Sequence, residues 1–170
     1  MIAIIYSSLN GTSKKYAELL GRRIYLPIYS LEKSKIYLEK KDEIVYVGWI
    51  KNGKIVGLKK AKKMYTVRAV CAVGMEYFSD EICRRVVNVN KLGIVPLYYL
   101  QGGIYMDKIK GLNRLLIKNK VKNEILRLES IESKTPIDMA LLNMYKEGSD
   151  FVSEANLSLA IEECSKIKPL

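Results

Sequence analysis

The chain has 170 residues, a size typical of one domain, and 49% of them are hydrophobic, enough for a sizeable core. Its formal net charge of +11 would attract nucleic acid, an anionic membrane surface or an acidic protein, and charge alone does not choose among these partners. Histidine is absent and the three cysteines are far apart, which disfavours a zinc site, a disulfide framework and any histidine-based triad.

The N-terminal segment predicts a strand, a polar loop and a helix. Residues 2–6 form a continuous apolar run, typical of a strand buried on both faces of a parallel sheet. The run is too short to span a membrane and lacks the basic start of a secretion signal, so we expect a cytoplasmic protein. Tyr16, Leu19 and Leu20 follow at helical spacing.

The same strand–helix unit recurs along the chain. Further strands are predicted over 43–49, 67–73 and 94–100, with a short edge strand around 24–28. Helices are predicted from two apolar patterns, Ile55, Leu58 and Ala61 in one and Phe78, Ile82 and Val86 in the other. This alternation predicts a single α/β domain over residues 1–170, with a parallel sheet covered by helices on both faces.

The C-terminal part predicts three helices. A long basic helix over 104–123 follows Gly102 and Gly103. Thr135 and Pro136 are typical of a helix start, and Gly148 of a helix end. Ser153 is expected to cap a last helix with a core-facing apolar stripe, formed by Leu157, Ala160, Ile161 and Cys164.

A polar loop directly follows the first strand and leads into a helix. It reads Ser7-Ser8-Leu9-Asn10-Gly11-Thr12-Ser13, with hydroxyl and amide side chains around one glycine. Hydroxyls, backbone N–H groups and the helix dipole all favour an anion at such a place. The loop therefore predicts a phosphate site, although it matches neither the P-loop nor the dinucleotide fingerprint.

The segment from Ile5 to Lys15 resembles the FMN-phosphate loop of flavodoxins, usually S/T-x-T-G-x-T. Asn10 stands where a threonine is usual, and Ser13 keeps a hydroxyl at the last position. The resemblance implies FMN as the cofactor and a flavodoxin-like three-layer sandwich. Its five-stranded parallel sheet would have the order 2-1-3-4-5, with helices on both faces.

Later segments are similar in position to the flavin-ring loops of that family. Trp49, the only tryptophan, ends one strand and suits either a flavin contact or a core position, and Tyr77 suits either a flavin contact or packing at a helix start. No catalytic side chain or metal ligand is predicted. The predicted cofactor-binding residues are Ser8, Leu9, Asn10, Gly11, Thr12, Ser13, Trp49, Ile50, Asn52, Gly53, Gly74, Met75, Tyr77 and Gly102.

The resemblance implies electron transfer by bound FMN between partner proteins with acidic surfaces. Residues 100–152 also resemble the menaquinone-linked protoporphyrinogen dehydrogenases of flavodoxin type. An alternative is therefore an FMN-dependent dehydrogenase or quinone reductase, whose basic helix would contact an anionic porphyrin or membrane. A second alternative is a flavin-less basic binding module for nucleic acid, although nucleic acid is not the expected partner.

Overall fold

The computed structural model describes residues 1–103, 106–148 and 151–167, in which strands and helices alternate. The strands are β1 (Ile2–Ser7), β2 (Ile28–Ser30), β3 (Glu43–Lys51), β4 (Lys54–Ile55), β5 (Thr66–Gly74) and β6 (Leu97–Gln101). The helices are α1 (Thr12–Ile24), α2 (Leu58–Met64), α3 (Asp80–Asn90), α4 (Gly111–Glu129), α5 (Pro136–Glu147) and α6 (Ser158–Cys164). Short 3₁₀ turns lie at Ser34–Ile36, Met106–Lys108 and Ala155–Leu157.

The sheet has the order β2-β1-β3-β5-β6, and all pairings along this path are parallel. Strand β4 is a two-residue addition that pairs antiparallel with β3. With β4 set aside, the five parallel strands have the predicted order 2-1-3-4-5. The flavodoxin-like sandwich is therefore confirmed as the fold, and the carboxyl ends of the strands meet at one edge of the sheet.

Two hydrophobic layers enclose the sheet, and a third cluster lies apart from it. Helices α2 and α3 cover one face through residues such as Leu58 and Val86, and helices α1 and α6 cover the other through residues such as Tyr16 and Ala160. The third cluster joins α4 to α5 around the fully buried Leu128 and several partly exposed neighbours. Helices α4 and α5 thus form a hairpin with a small core of its own.

The two edge strands begin later than predicted. Strand β2 starts at Ile28 because α1 continues to Ile24 and ends at Tyr25, which adopts a left-handed conformation. Strand β6 starts at Leu97 because Ile94 lies fully exposed in the preceding turn. Pro96 precedes this edge strand, and its carbonyl accepts a hydrogen bond from Val70 N at 2.9 Å.

Two of the predicted helices are shorter than their apolar patterns suggested. Ile55 belongs to β4, and α2 begins only at Leu58. Phe78 lies exposed before α3, whose N-cap is Ser79 with a side chain that accepts from Ile82 N. In both cases the apolar residue precedes the helix, Ile55 in strand β4 and Phe78 in the loop before α3.

The C-terminal helices show one confirmed start and two corrections. Thr135 is the N-cap of α5 and Pro136 its first residue, as predicted, and Gly148 ends the helix; Thr135 and Asp138 also form a reciprocal capping box. Helix α4 begins at Gly111 instead of 104, where a φ of +61° suits glycine; residues 104 and 105 lie outside the described part. Ser153 does not cap α6: its Oγ accepts from Asn156 N in the preceding 3₁₀ turn, whose N-cap is Glu154, and α6 itself starts at Ser158.

Within the described ranges, no helix has both the length and the apolar character needed to cross a membrane.

Candidate functional site

A cavity of about 210 Å³ lies at the carboxyl edge of the sheet, where the loops after β1, β3, β5 and β6 meet. The fold therefore brings most of the predicted cofactor-binding residues to one place. Those that line the cavity are Leu9, Asn10, Thr12, Trp49, Ile50, Asn52, Gly74, Met75 and Gly102. Gly53 lines an adjoining hollow of about 260 Å³, whose walls include Ile50, Asn52, Gly74 and Met75 as well.

The loop after β1 is held by its own side chains. The Ser8 hydroxyl accepts a hydrogen bond from Gly11 N at 3.0 Å, and Gly11 adopts a φ of +96° that favours glycine. Asn10 Oδ1 accepts from Thr12 N at 3.1 Å and from Thr12 Oγ1 at 2.8 Å. Ser8, Gly11 and Ser13 do not line the cavity, and the part of Ser8 and Gly11 is to shape the turn of the loop.

Asn10 also ties this loop to the loop after β6. Its Nδ2 donates to the Gly103 carbonyl at 2.9 Å. Next to it, Gly102 N donates to the Gly74 carbonyl at 2.7 Å. A Cβ on Gly102 would lie 2.7 Å from Val73 Cγ1 and 3.1 Å from Thr12 Cγ2, so glycine lets the loop after β6 lie this close to β5 and to the start of α1. An amide at position 10 serves both loops, because it donates to one and accepts from the other.

Ser13 carries a buried hydroxyl near the N terminus of α1. The residue is 1% exposed, and its Oγ has no hydrogen-bond partner among the described residues. A buried hydroxyl without a partner costs free energy, roughly 1–3 kcal/mol. It lies in the first turn of a 13-residue helix, where the dipole and backbone N–H groups favour an anion. This donor set fits a phosphate group.

The β3–β4 hairpin forms a second wall of the cavity. Asn52 and Gly53 make its turn with positive φ values of 50° and 76°. Trp49 is partly buried and lines the cavity, so it is not a core tryptophan. Asn90 at the end of α3 fixes the hairpin: its Nδ2 donates to the Gly53 carbonyl and its Oδ1 accepts from Ile55 N, both at 2.8 Å.

A buried hydroxyl cluster supports the base of that hairpin. The Ser7 hydroxyl donates to the Val56 carbonyl at 2.6 Å, and the Tyr46 hydroxyl lies 2.8 Å from the same carbonyl and 3.0 Å from Ser7 Oγ. Burial raises the pKa of Tyr46 to about 12. A Cβ on Gly57 would lie 2.3 Å from the Tyr46 hydroxyl, which leaves no room for a larger residue.

The loop after β5 contributes Met75, whereas Tyr77 lies outside the cavity with 44% of its surface exposed. The role of Tyr77 as a flavin contact stays a prediction. The Tyr99 hydroxyl anchors this loop by donating to the Glu76 carbonyl at 2.6 Å, and burial raises the pKa of Tyr99. A Cβ on Gly74 would lie 2.2 Å from the Tyr99 hydroxyl, so the loop passes directly over that tyrosine.

The sequence reasoning missed the fourth wall, which α4 and the turn before it supply. Lys51 on β3 reaches toward this wall, with its Nζ 3.4 Å from Asn113 Oδ1. Asn113 on α4 lies about sixty residues after Lys51 in the sequence, and no local pattern in the sequence indicates that the two residues meet. The residues of this wall are Ile109, Asn113, Leu116, Ile117 and Lys120.

The chemistry of the cavity is apolar and cationic. Its lining, as far as the described residues show it, contains no Asp, Glu, Cys or His, and Lys51 and Lys120 are its charged members. Such walls can bind an apolar ring and attract an anion. They offer no carboxylate or imidazole for general acid–base catalysis.

The chain matches no protein-family model, and a search of the curated proteins finds no significant match.

Proposed function

We propose that this chain is an FMN-binding redox protein of flavodoxin type that transfers electrons between partner proteins. The observation that carries the proposal is the buried Ser13 hydroxyl, which has no partner among the described residues and follows Thr12, a residue of the cavity lining, in the first turn of α1. A phosphate bound by this first turn, together with an aromatic ring held in the cavity, uses both features at once.

In this proposal the loop 8–13 binds the phosphate, and the cavity walls, Trp49 and Met75 among them, bind the ring. FMN supplies one-electron or hydride transfer when it is bound. The protein itself contributes binding, exclusion of water by apolar walls, and the positive charges of Lys51 and Lys120. None of the cavity-lining side chains is needed as an acid or a base.

The test is a titration of the purified protein with FMN, followed by flavin absorbance and by quenching of flavin and Trp49 fluorescence. We expect binding at micromolar FMN and much weaker binding of riboflavin, which lacks the phosphate. Absence of binding at micromolar FMN would refute the proposal and make the basic surface the leading clue to function. Transfer of electrons from reduced protein to an acidic acceptor protein would then establish the carrier role.

The proposal also covers the redox partners of such a carrier and the compartment in which it works. The excess positive charge supports redox partners with acidic surfaces, and nucleic acid is not expected. The three cysteines are free thiols in the structure, which supports a reducing compartment such as the cytoplasm.

The fourth wall favours a second candidate, an FMN-dependent dehydrogenase or quinone reductase of the protoporphyrinogen type. Ile109, Asn113, Leu116 and Ile117 extend the cavity beyond the loops that follow the strands. An extra wall of this kind suits a small substrate more than a protein partner. Turnover with protoporphyrinogen and a quinone separates this enzyme from a carrier.

A further inference from the structure

Helix α4 has apolar residues on two opposite faces. Val121 and Leu128 are buried against α5, and Ile117 and Ile125 pack partly against the same cluster. At 3.6 residues per turn these four residues share one side of the helix. This face accounts for the docking of α4 onto α5.

The second apolar face is solvent-exposed. Leu112 is 81% exposed, and Leu115, Leu116 and Leu126 are each more than half exposed. These leucines fall within an arc of about 100° on the side opposite to the buried face. The first three are close together in the first two turns of the helix, where they form an exposed apolar ridge, and Leu116 is also part of the cavity wall. Single exposed leucines are ordinary, but a cluster of three marks a contact surface.

The charges on α4 beside this ridge have one sign, and Glu76, from the loop after β5, lies 4.0 Å from Lys120 Nζ. Lys118 and Lys122 lie on one side of it and Lys120 on the other, all of them exposed. From residue 108 to residue 123 the sequence has six lysines and arginines and no acidic residue. Lysine stems can lie along an apolar boundary while their ammonium groups reach outward.

We propose that α4 docks onto an anionic lipid surface, with Leu112, Leu115 and Leu116 entering the headgroup region and the flanking lysines contacting the lipid phosphates. A convex helix with leucines between lysines fits a planar, deformable, negative surface. A second copy of the chain would bring two clusters of positive charge together, which disfavours self-association. The proposal does not depend on FMN binding.

The test is partitioning of the full chain to phospholipid vesicles, measured by sedimentation in about 0.1 M salt, where the screening length is about 10 Å. Vesicles of phosphatidylcholine alone are compared with vesicles that also contain phosphatidylglycerol. We expect binding to the mixed vesicles and little to the neutral ones. Equal partitioning to both, or none to either, would overturn the proposal.

Paired variants separate the ridge from the general positive charge. The double variant Leu112→Gln with Leu115→Gln should weaken binding about tenfold, whereas Ile94→Gln with Leu159→Gln, at two exposed apolar residues elsewhere, should leave it unchanged. Lys118→Gln with Lys122→Gln should weaken binding at least about tenfold. Lys59→Gln with Lys60→Gln removes the same charge from exposed positions on α2 and should have much less effect.

Circular dichroism and thermal unfolding of each variant show that the fold is retained. An equal loss of vesicle binding in the two lysine double variants would overturn the proposal, because binding would then come from net charge alone. Unchanged binding in the leucine pair would overturn it as well. Light scattering that shows a dimer, abolished by the same leucine pair, would assign the ridge to a second copy of the chain.

Discussion

Individual buried polar groups in the site differ in whether their hydrogen bonds are made. Asn10 and Asn90 each use both ends of the amide, and Tyr46 shares a carbonyl with Ser7. Ser13 Oγ and Gln101 Nε2 are the exceptions, since neither buried atom has a partner in the described part of the chain. Polar groups whose hydrogen bonds are made stabilise the loops. A buried hydroxyl without a partner lowers the stability of the free protein and leaves a hydrogen bond for a ligand to make.

Replacement of Ser13 by alanine should therefore have opposite effects on stability and on FMN binding. Without FMN, the free energy of unfolding should stay equal or rise by up to about 1 kcal/mol, because an unsatisfied buried hydroxyl is removed. The affinity for FMN should fall about tenfold through loss of a charge-assisted hydrogen bond. Urea unfolding and fluorescence titration measure the two quantities.

Riboflavin is the control ligand for Ser13→Ala, and its affinity should hardly change. Ser8→Ala is the control variant, which should lower stability because Ser8 accepts from Gly11 N. An equal loss of affinity for FMN and riboflavin in Ser13→Ala would show that Ser13 does not contact the phosphate.

The buried hydroxyl of Tyr46 predicts a pH effect on stability. Burial raises its pKa to about 12 from the ordinary value of about 10. The contribution of this hydroxyl to the free energy of unfolding is thus complete below about pH 10. It is lost as the pH rises toward 12, because Tyr46 ionises at a lower pH in the unfolded chain than in the folded one. Tyr46→Phe should be less stable than the wild type by about 1 kcal/mol near neutral pH, and this gap should shrink at about pH 11.

Urea unfolding of wild type and Tyr46→Phe at both pH values measures the gap. Comparison within each pH cancels the effect of lysine deprotonation, which both proteins share. Tyr25→Phe is the matched control, since Tyr25 is 91% exposed and should give no gap at either pH. A gap for Tyr46→Phe that stays constant between the two pH values would contradict the prediction.

At the scale of elements, the β3–β4 hairpin depends on α3 for its position. Asn90 bonds the carbonyls of Gly53 and Val86 and the N–H of Ile55, each at 2.8 Å. Asn90→Ala leaves these groups unpaired and should lower the free energy of unfolding by about 2 kcal/mol. FMN affinity should fall as well, because the wall that carries Trp49 and Ile50 becomes mobile.

Asn88→Ala is the matched control for Asn90→Ala. Asn88 is exposed two residues earlier on the same helix, and the change should stay within about 0.5 kcal/mol. Urea unfolding and FMN titration of both variants decide the question. Equal stability of the two variants would show that the hairpin does not depend on Asn90.

Local patterns predicted the elements best where a boundary has its own chemistry. The start of α5 is an example, because Thr135 and Pro136 are typical of an N-cap and a first helical residue. The predicted start of α4 is seven residues too early, at 104 instead of 111, because charge and apolar spacing do not distinguish the 3₁₀ turn at Met106–Lys108 from the start of the helix. The loops of the site were predictable, since parallel strands bring their carboxyl ends together. Asn90 and the α4 wall were not, because they reach the cavity only through tertiary packing.

At the scale of the whole molecule, positive charge exceeds negative charge around the candidate site, where Glu76 lines the adjoining hollow and lies 4.0 Å from Lys120 Nζ. The sequence from residue 44 to residue 75 contains no acidic residue, and the cavity is lined by Lys51 and Lys120. Reduced FMN is an anion, so nearby cations stabilise the reduced form and raise its reduction potential. A lysine about 10 Å away contributes roughly 0.4 kcal/mol in a water-like dielectric.

The last prediction separates local charges from the net charge. Lys51→Gln with Lys120→Gln should lower the potential of bound FMN by on the order of 20 mV, the equivalent of about 0.8 kcal/mol for a two-electron couple. Lys59→Gln with Lys60→Gln also removes two positive charges but from α2, outside the cavity lining, and should lower it much less. Potentiometric titration at low and high salt measures the potential of bound FMN in both double variants. High salt should reduce the difference between their potentials, because it screens the lysine charges. An equal decrease in both pairs would show that the potential follows the net charge of +11 instead of the two cavity lysines.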